Sequence, residues 1–193
     1  MLAALLRYYK TNLLLALVLA VVIILRYQNV FAALTFLPIS VVTGQSILAL
    51  FIPQILLGTL LSVFLLDLEF FLQAYLYDPA STFSTGLRDL LAQKNWVGLT
   101  GFAEAHQDEI KNPVLRSSIF QVVLIILCAY LVISRVSLLG TSFALGVLLQ
   151  SIVLGYQRRH KDWFWEIKLA LSNTAISIYF VVVSLALLYL LTV

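Results

Sequence analysis

Between Ser46 and Tyr77 the chain reads SILALFIPQILLGTLLSVFLLDLEFFLQAYLY, an almost unbroken apolar run that ends in an acidic, aromatic-rich tail. Coiled as one helix it would be about 48 Å long, against a bilayer hydrocarbon core of about 30 Å, so its first two-thirds can cross and the rest must emerge. No soluble domain could bury this stretch together with the other apolar runs of the chain, which is 62% hydrophobic and only 11% charged over 193 residues. The bilayer must therefore serve as solvent for much of it. Backbone amides in that solvent need internal partners, which limits spanning segments to helices or closed barrels. The runs are continuous and do not alternate with period two, so helices are predicted.

The expectation is one all-α membrane domain, a polytopic protein with five or six transmembrane helices and a small helical cytoplasmic cap. The predicted spans are 12–26, 30–44, 46–67 with an extension to 77, 117–135, 136–156 and 169–191. Segment 30–44 contains Pro38 and is short for a crossing, which needs roughly 17 to 25 residues, so it either crosses as a thin helix or re-enters. Pro53 should kink the long helix. The apolar run after Arg7 and Lys10 resembles a signal sequence, but Arg26 follows it directly with no small-residue cleavage site, and an uncleaved first helix is expected.

Two polar stretches remain, 78–116 and 157–168, and both are rich in Lys and Arg. The positive-inside rule puts them together on the cytoplasmic face, whichever way segment 30–44 runs. Within the first, Ser84 is predicted to cap an amphipathic helix reaching Lys94, followed by a break over 95–101 and a second short helix from Phe102 to Ile110. Both helices have the composition of elements that lie on a membrane surface. The expected location is a prokaryotic cell membrane, crossed several times.

Small and polar residues mark the faces that helices turn toward one another in lipid. Gln54, Gly58, Ser62, Glu69 and Gln73 fall on one such face, and Ser142, Gly146 and Gln150 on another. Gln54, Glu69, Gln121, Gln150 and Asn173 are the candidate intramembrane polar site, because an amide or acid in a span has either a helix partner or a solute to bind. Asp67 and Glu69 are the acids of the apolar runs, with Arg26 and Arg135 as the partners considered for Glu69. In the second loop Arg158, Arg159, Lys161, Trp163 and Trp165 combine charge with indoles as a site for anionic lipid headgroups would, or as an ordinary interfacial anchor does. His106 and His160 could share a metal only if the two loops meet. No metal, cofactor or catalytic set is assigned: Cys128 is the one cysteine, and there is no phosphate-cradling glycine loop and no nucleophile-base pair in a recognisable setting.

The net charge of +3 gathers in loops and forms no basic stripe, which excludes nucleic acid as a partner. The bilayer is the partner that composition requires. Other membrane subunits or copies of this chain are the partners that the small-residue faces suggest. A non-enzymatic interaction or assembly subunit is therefore the leading functional expectation. A small-solute permease or channel using the polar residues as a route is the first alternative. A membrane enzyme acting on lipid-linked substrate at the cytoplasmic face is the second.

Overall fold

A computed structural model describes residues 2–34, 41–106, 110, 113–135, 137–157, 161–164 and 172–192. Among them all regular structure is helical: α1 (Leu2–Leu34), α2 (Val41–Leu65), α3 (Leu68–Leu72) continued by a π-helical turn (Gln73–Tyr77), α4 (Thr82–Ala92), α5 (Trp96–Ala105), α6 (Ser118–Ser134), α7 (Leu138–Gln157), a 3-10 turn (Lys161–Phe164) and α8 (Asn173–Thr192). Three helices, α1, α7 and α8, are long and apolar enough to cross a membrane, and a fourth crossing exists if α2 and the segment after it count as one broken span. Helix α6 is apolar but has 17 residues, at the lower limit for a crossing.

The segment 30–44 is described only at its two ends. Residues 30–34 complete α1 and 41–44 open α2, while Pro38 lies outside the described residues. Arg26 does not end α1 as its charge suggested, because its guanidinium donates to the carbonyl of Leu190 at 2.9 Å. That carbonyl belongs to the last turn of α8, where the chain leaves acceptors unused and a cation is favoured.

Helix α7 is the centre of the bundle: 61% of it is buried, against 28% of α8 and 22% of the apolar part of α1. The reason is in its small residues. A methyl group on Gly146 would lie 2.7 Å from Ser62 Cβ, and one on Gly58 would lie 2.7 Å from the Leu139 carbonyl oxygen. The two small-residue faces predicted from sequence are thus pressed against each other inside one chain, with α2 and α7 running parallel. Gly155 serves α8 in the same way, since a methyl there would collide with the Phe180 ring. Leu19, Ile23, Ile55, Leu124, Leu148, Val183 and Leu187 fill the space between these helices.

The cross-links fix direction. Arg26 joins the far ends of α1 and α8; Tyr179 Oη donates to the Ser118 carbonyl at 3.1 Å, joining the near ends of α8 and α6; Gln150 Nε2 reaches the Asn12 carbonyl at 3.0 Å. Helices α1, α6 and α8 therefore run one way and α2 and α7 the other. Arg135 makes the turn into α7 with a left-handed backbone (φ 50°), the usual way a helix C-terminus closes.

Replacing Gly146 with Ala should lower bundle stability by about 1–3 kcal/mol through overpacking. The control is Gly101→Ala, an exposed helical glycine with nothing within 4 Å of its added methyl. That change should be neutral or stabilise by up to about 1 kcal/mol. Unfolding of detergent-solubilised variants with added SDS reads both effects.

Candidate functional site at the base of the cap

The long run does not continue as one helix. It turns through 44° between Leu65 and Leu68, while α2 itself passes through Pro53. The break falls at Leu66-Asp67, where the apolar run meets its first acids. The Asp67 side chain leaves its own helix uncapped and is held from two directions: Tyr9 Oη of α1 donates to Oδ2 at 2.6 Å, and Arg116 Nη2 donates to Oδ1 at 3.0 Å. The Tyr9 ring meets Phe64 edge-on, with centroids 5.1 Å apart.

Glu69 is fully buried and turned the other way. Its carboxyl oxygens accept the backbone N–H groups of Val114, at 2.9 Å, and of Leu115. These two amides belong to the turn just before α6, whose N-cap is Ser117, with Oγ accepting from the Phe120 amide. One acid thus clamps the entry of α6 to α3. Arg26 and Arg135 are not its partners, because each sits at the opposite end of the bundle.

Arg116 is 3% exposed and forms an ion pair with Asp67 while its guanidinium stacks over the Phe70 ring at 4.6 Å. Its Nε and Nη1 are buried without an acceptor among the described residues. Phe70 begins an aromatic row that runs through the cap: Phe83 at 6.0 Å, then Phe102 at 5.7 Å, then His106 stacked on Phe102 at 4.2 Å. Gly86 lets Phe102 approach α4, since a methyl there would lie 2.7 Å from its ring. With Leu87, Ala103 and Ile110 this row is the cap's own core. Phe83 and Leu87 of α4, with Leu91 packed against them, thus face α5 and α3.

Capping differs from the sequence expectation. Ser81 is the N-cap of α4, accepting from the Ser84 amide at 3.2 Å, and Ser84 Oγ instead donates to the Asp78 carbonyl at 2.6 Å. The expected break over 95–101 shortens to 93–95. Asn95 Oδ1 accepts the Gly98 amide at 2.9 Å and starts α5 at Trp96, so 96–101 is helical and Phe102 lies inside the helix.

The predicted polar residues occupy separate places. Gln54 and Asn173 are exposed on the outside of the bundle. Gln121 is buried and donates to Ser151 Oγ at 3.1 Å, joining α6 to α7; Gln150 joins α7 to α1. Glu69 is at the cap. Among the described residues no hydrogen bond joins any two of the five. Trp163, expected at a lipid headgroup, is buried against Phe180 with Phe164, Ile176 and Tyr179. Arg158, Arg159, Trp165 and His160 lie outside the described residues, as does the side chain of Lys161. His106 has its Nδ1 3.0 Å from the Phe102 carbonyl oxygen, and among the described residues no three His, Cys, Asp or Glu side chains are grouped to hold a metal.

The chain matches no protein-family model, no curated protein and no solved structure. Sequence reasoning missed Tyr9 and Arg116. The available signal was that two acids in an apolar run each require a partner, and Arg116 stands immediately before a span.

Glu69→Ala removes both bonds to the Val114 and Leu115 amides from a fully buried carboxyl group and should destabilise by about 2–4 kcal/mol. Asp67→Ala should cost about 3–5 kcal/mol, because it strands a buried guanidinium. Tyr9→Phe, which keeps the ring and loses one bond to a charged group, should cost about 1.5–3 kcal/mol. SDS-induced unfolding in mixed micelles orders the three.

Proposed function

We propose that this chain is a multi-pass membrane protein of five spans, α1, α2, α6, α7 and α8, and that it acts as a non-enzymatic interaction or assembly subunit. With this helix order the N-terminus, the cap and the α7–α8 connection fall at one end of the bundle. Among the described residues, Arg7, Lys10, Arg88, Lys94 and Arg116 belong to that end and Arg26 and Arg135 to the other, which supports a cytoplasmic cap. The apolar residues on the outer faces, such as Leu17 and Val21 of α1, Ile126 of α6 and Leu185 of α8, suit acyl chains.

The observation that carries the assembly reading is what the bundle does with its polar groups. Gln121, Gln150 and Glu69 each bond to a neighbouring segment, and Gly58 and Gly146 bring α2 and α7 so close that no methyl fits between them. Polar side chains used in this way hold helices in place, each contributing around 1 kcal/mol.

A permease reading draws on a different observation: the side-chain oxygens of Gln73, Gln121 and Gln150 are buried and unpartnered among the described residues. Unused acceptors of this kind are what a solute donor would seek. Proteoliposomes loaded with ions and small neutral solutes distinguish the two. The assembly reading expects release no faster than from protein-free vesicles, and no change in Gln121→Leu. A flux that Gln121→Leu abolishes would establish the permease. For assembly itself, native mass spectrometry from nanodiscs formed directly from the producing membrane should show a stoichiometric complex with another chain or with copies. A uniform monomer would refute it.

A further inference from the structure

We propose that Leu68–Tyr77 is a membrane-embedded elbow, whose outer face lies in the headgroup-acyl boundary of the bilayer and holds the cap against the membrane surface; this rests on α2 being a span. The 25 residues of α2 amount to about 37 Å, more than the roughly 30 Å hydrocarbon core, so the break at Leu66-Asp67 comes where the helix leaves the acyl chains. The 44° bend then turns α3 and the π-helical turn toward the membrane plane.

The elbow has two unlike faces. Glu69, Phe70, Gln73 and Ala74 are buried toward the cap, and both acids of the bend, Asp67 and Glu69, are bonded within the protein. Leu68, Phe71, Tyr75, Leu76 and Tyr77 are exposed, Leu76 at 68%, and none of them is charged. Five such side chains on a ten-residue element form the kind of apolar patch that a water-exposed surface rarely carries.

The occupant follows from continuity. Among the described side chains of α2, Leu57, Leu61 and Phe64 are the exposed large apolar ones, and Leu68, Phe71 and Tyr75 extend that line with the same alternation of three and four residues. A stripe that begins in acyl chains and crosses the bend without a polar interruption remains in contact with lipid. Its chemistry also changes along the way, from aliphatic Leu57 and Leu61 to two tyrosines at the end. Aromatic rings with a polar tip settle at the boundary between acyl chains and headgroups. The surface-lying element is therefore the elbow. Helices α4 and α5, which carry the leucines expected to do this, turn Phe83, Leu87 and Phe102 into the cap's own core.

The test uses the full chain in phosphatidylcholine vesicles. Cys128, the one cysteine, is replaced by Ala, and single cysteines at Leu61, Phe71, Tyr75 and Asp89 carry a nitroxide label. Collision with oxygen and with a water-soluble nickel chelate is read by electron paramagnetic resonance. Labels at Phe71 and Tyr75 should show oxygen contact several-fold above that at Asp89 and nickel contact several-fold below it, at a depth shallower than Leu61. The elbow is overturned if Phe71 and Tyr75 match Asp89, which places them in water. It is equally overturned if they are shielded from both reagents, which signals a protein partner or a second copy on this face. A Leu61 label that reads as aqueous would instead reject α2 as a span, a failure distinguishable from that of the elbow alone.

Discussion

A carboxyl group that accepts two backbone amides at the end of an apolar helix is the contact on which the arrangement of this chain depends. The N–H groups of Val114 and Leu115 precede a helix, where intrahelical acceptors do not exist, and both are turned onto a fully buried carboxyl group. Without Glu69 they would be unsatisfied donors at the junction of α2, α3 and α6. With it, a residue in the first half of the chain sets where the second half begins. Asp67, two residues earlier, ties the same junction to α1 through Tyr9 and to Arg116. The bend at 66–67 separates these two acids so that each can face its own partner.

Packing and polar pairing then work at different levels of the bundle. At its centre, glycines and serines of α2 and α7 bring backbones together, and close van der Waals contact holds them where hydrophobic exclusion cannot. Toward its ends, side chains reach backbone carbonyls: Arg26 takes that of Leu190, which the last turn of α8 leaves open, and Tyr179 adds a second donor to that of Ser118 in the first turn of α6. The cap repeats the design of a small soluble core, an aromatic row from Phe70 to His106 closed by the Arg116 guanidinium. Such a division suits the assembly role proposed for the chain, because a bundle fixed internally leaves its outer surfaces for lipid and partners.

The all-helical class, the apolar helices and the small-residue faces were legible in the sequence, because apolar run length and the helical repeat are local properties. The faces of Gly58, Ser62, Ser142 and Gly146 follow from spacing alone. Which face meets which does not: the same spacing serves contact with another copy as well as contact within one chain. The bounds of α1, the Ser81 cap and the start of α5 at Trp96 also escaped, since each depends on a side chain that accepts or donates at that one position. Asn95 begins α5 because its oxygen reaches the Gly98 amide.

By itself the sequence determined that most of these residues need a non-aqueous surrounding and that two acids near position 68 need partners, since desolvation of apolar surface and of charge is a property of the residue. Only the tertiary structure decided what those partners are. Val114, Leu115 and Arg116 lie more than forty residues from Glu69 and Asp67, and contact across such a separation is set by how whole helices stack, which no local pattern encodes.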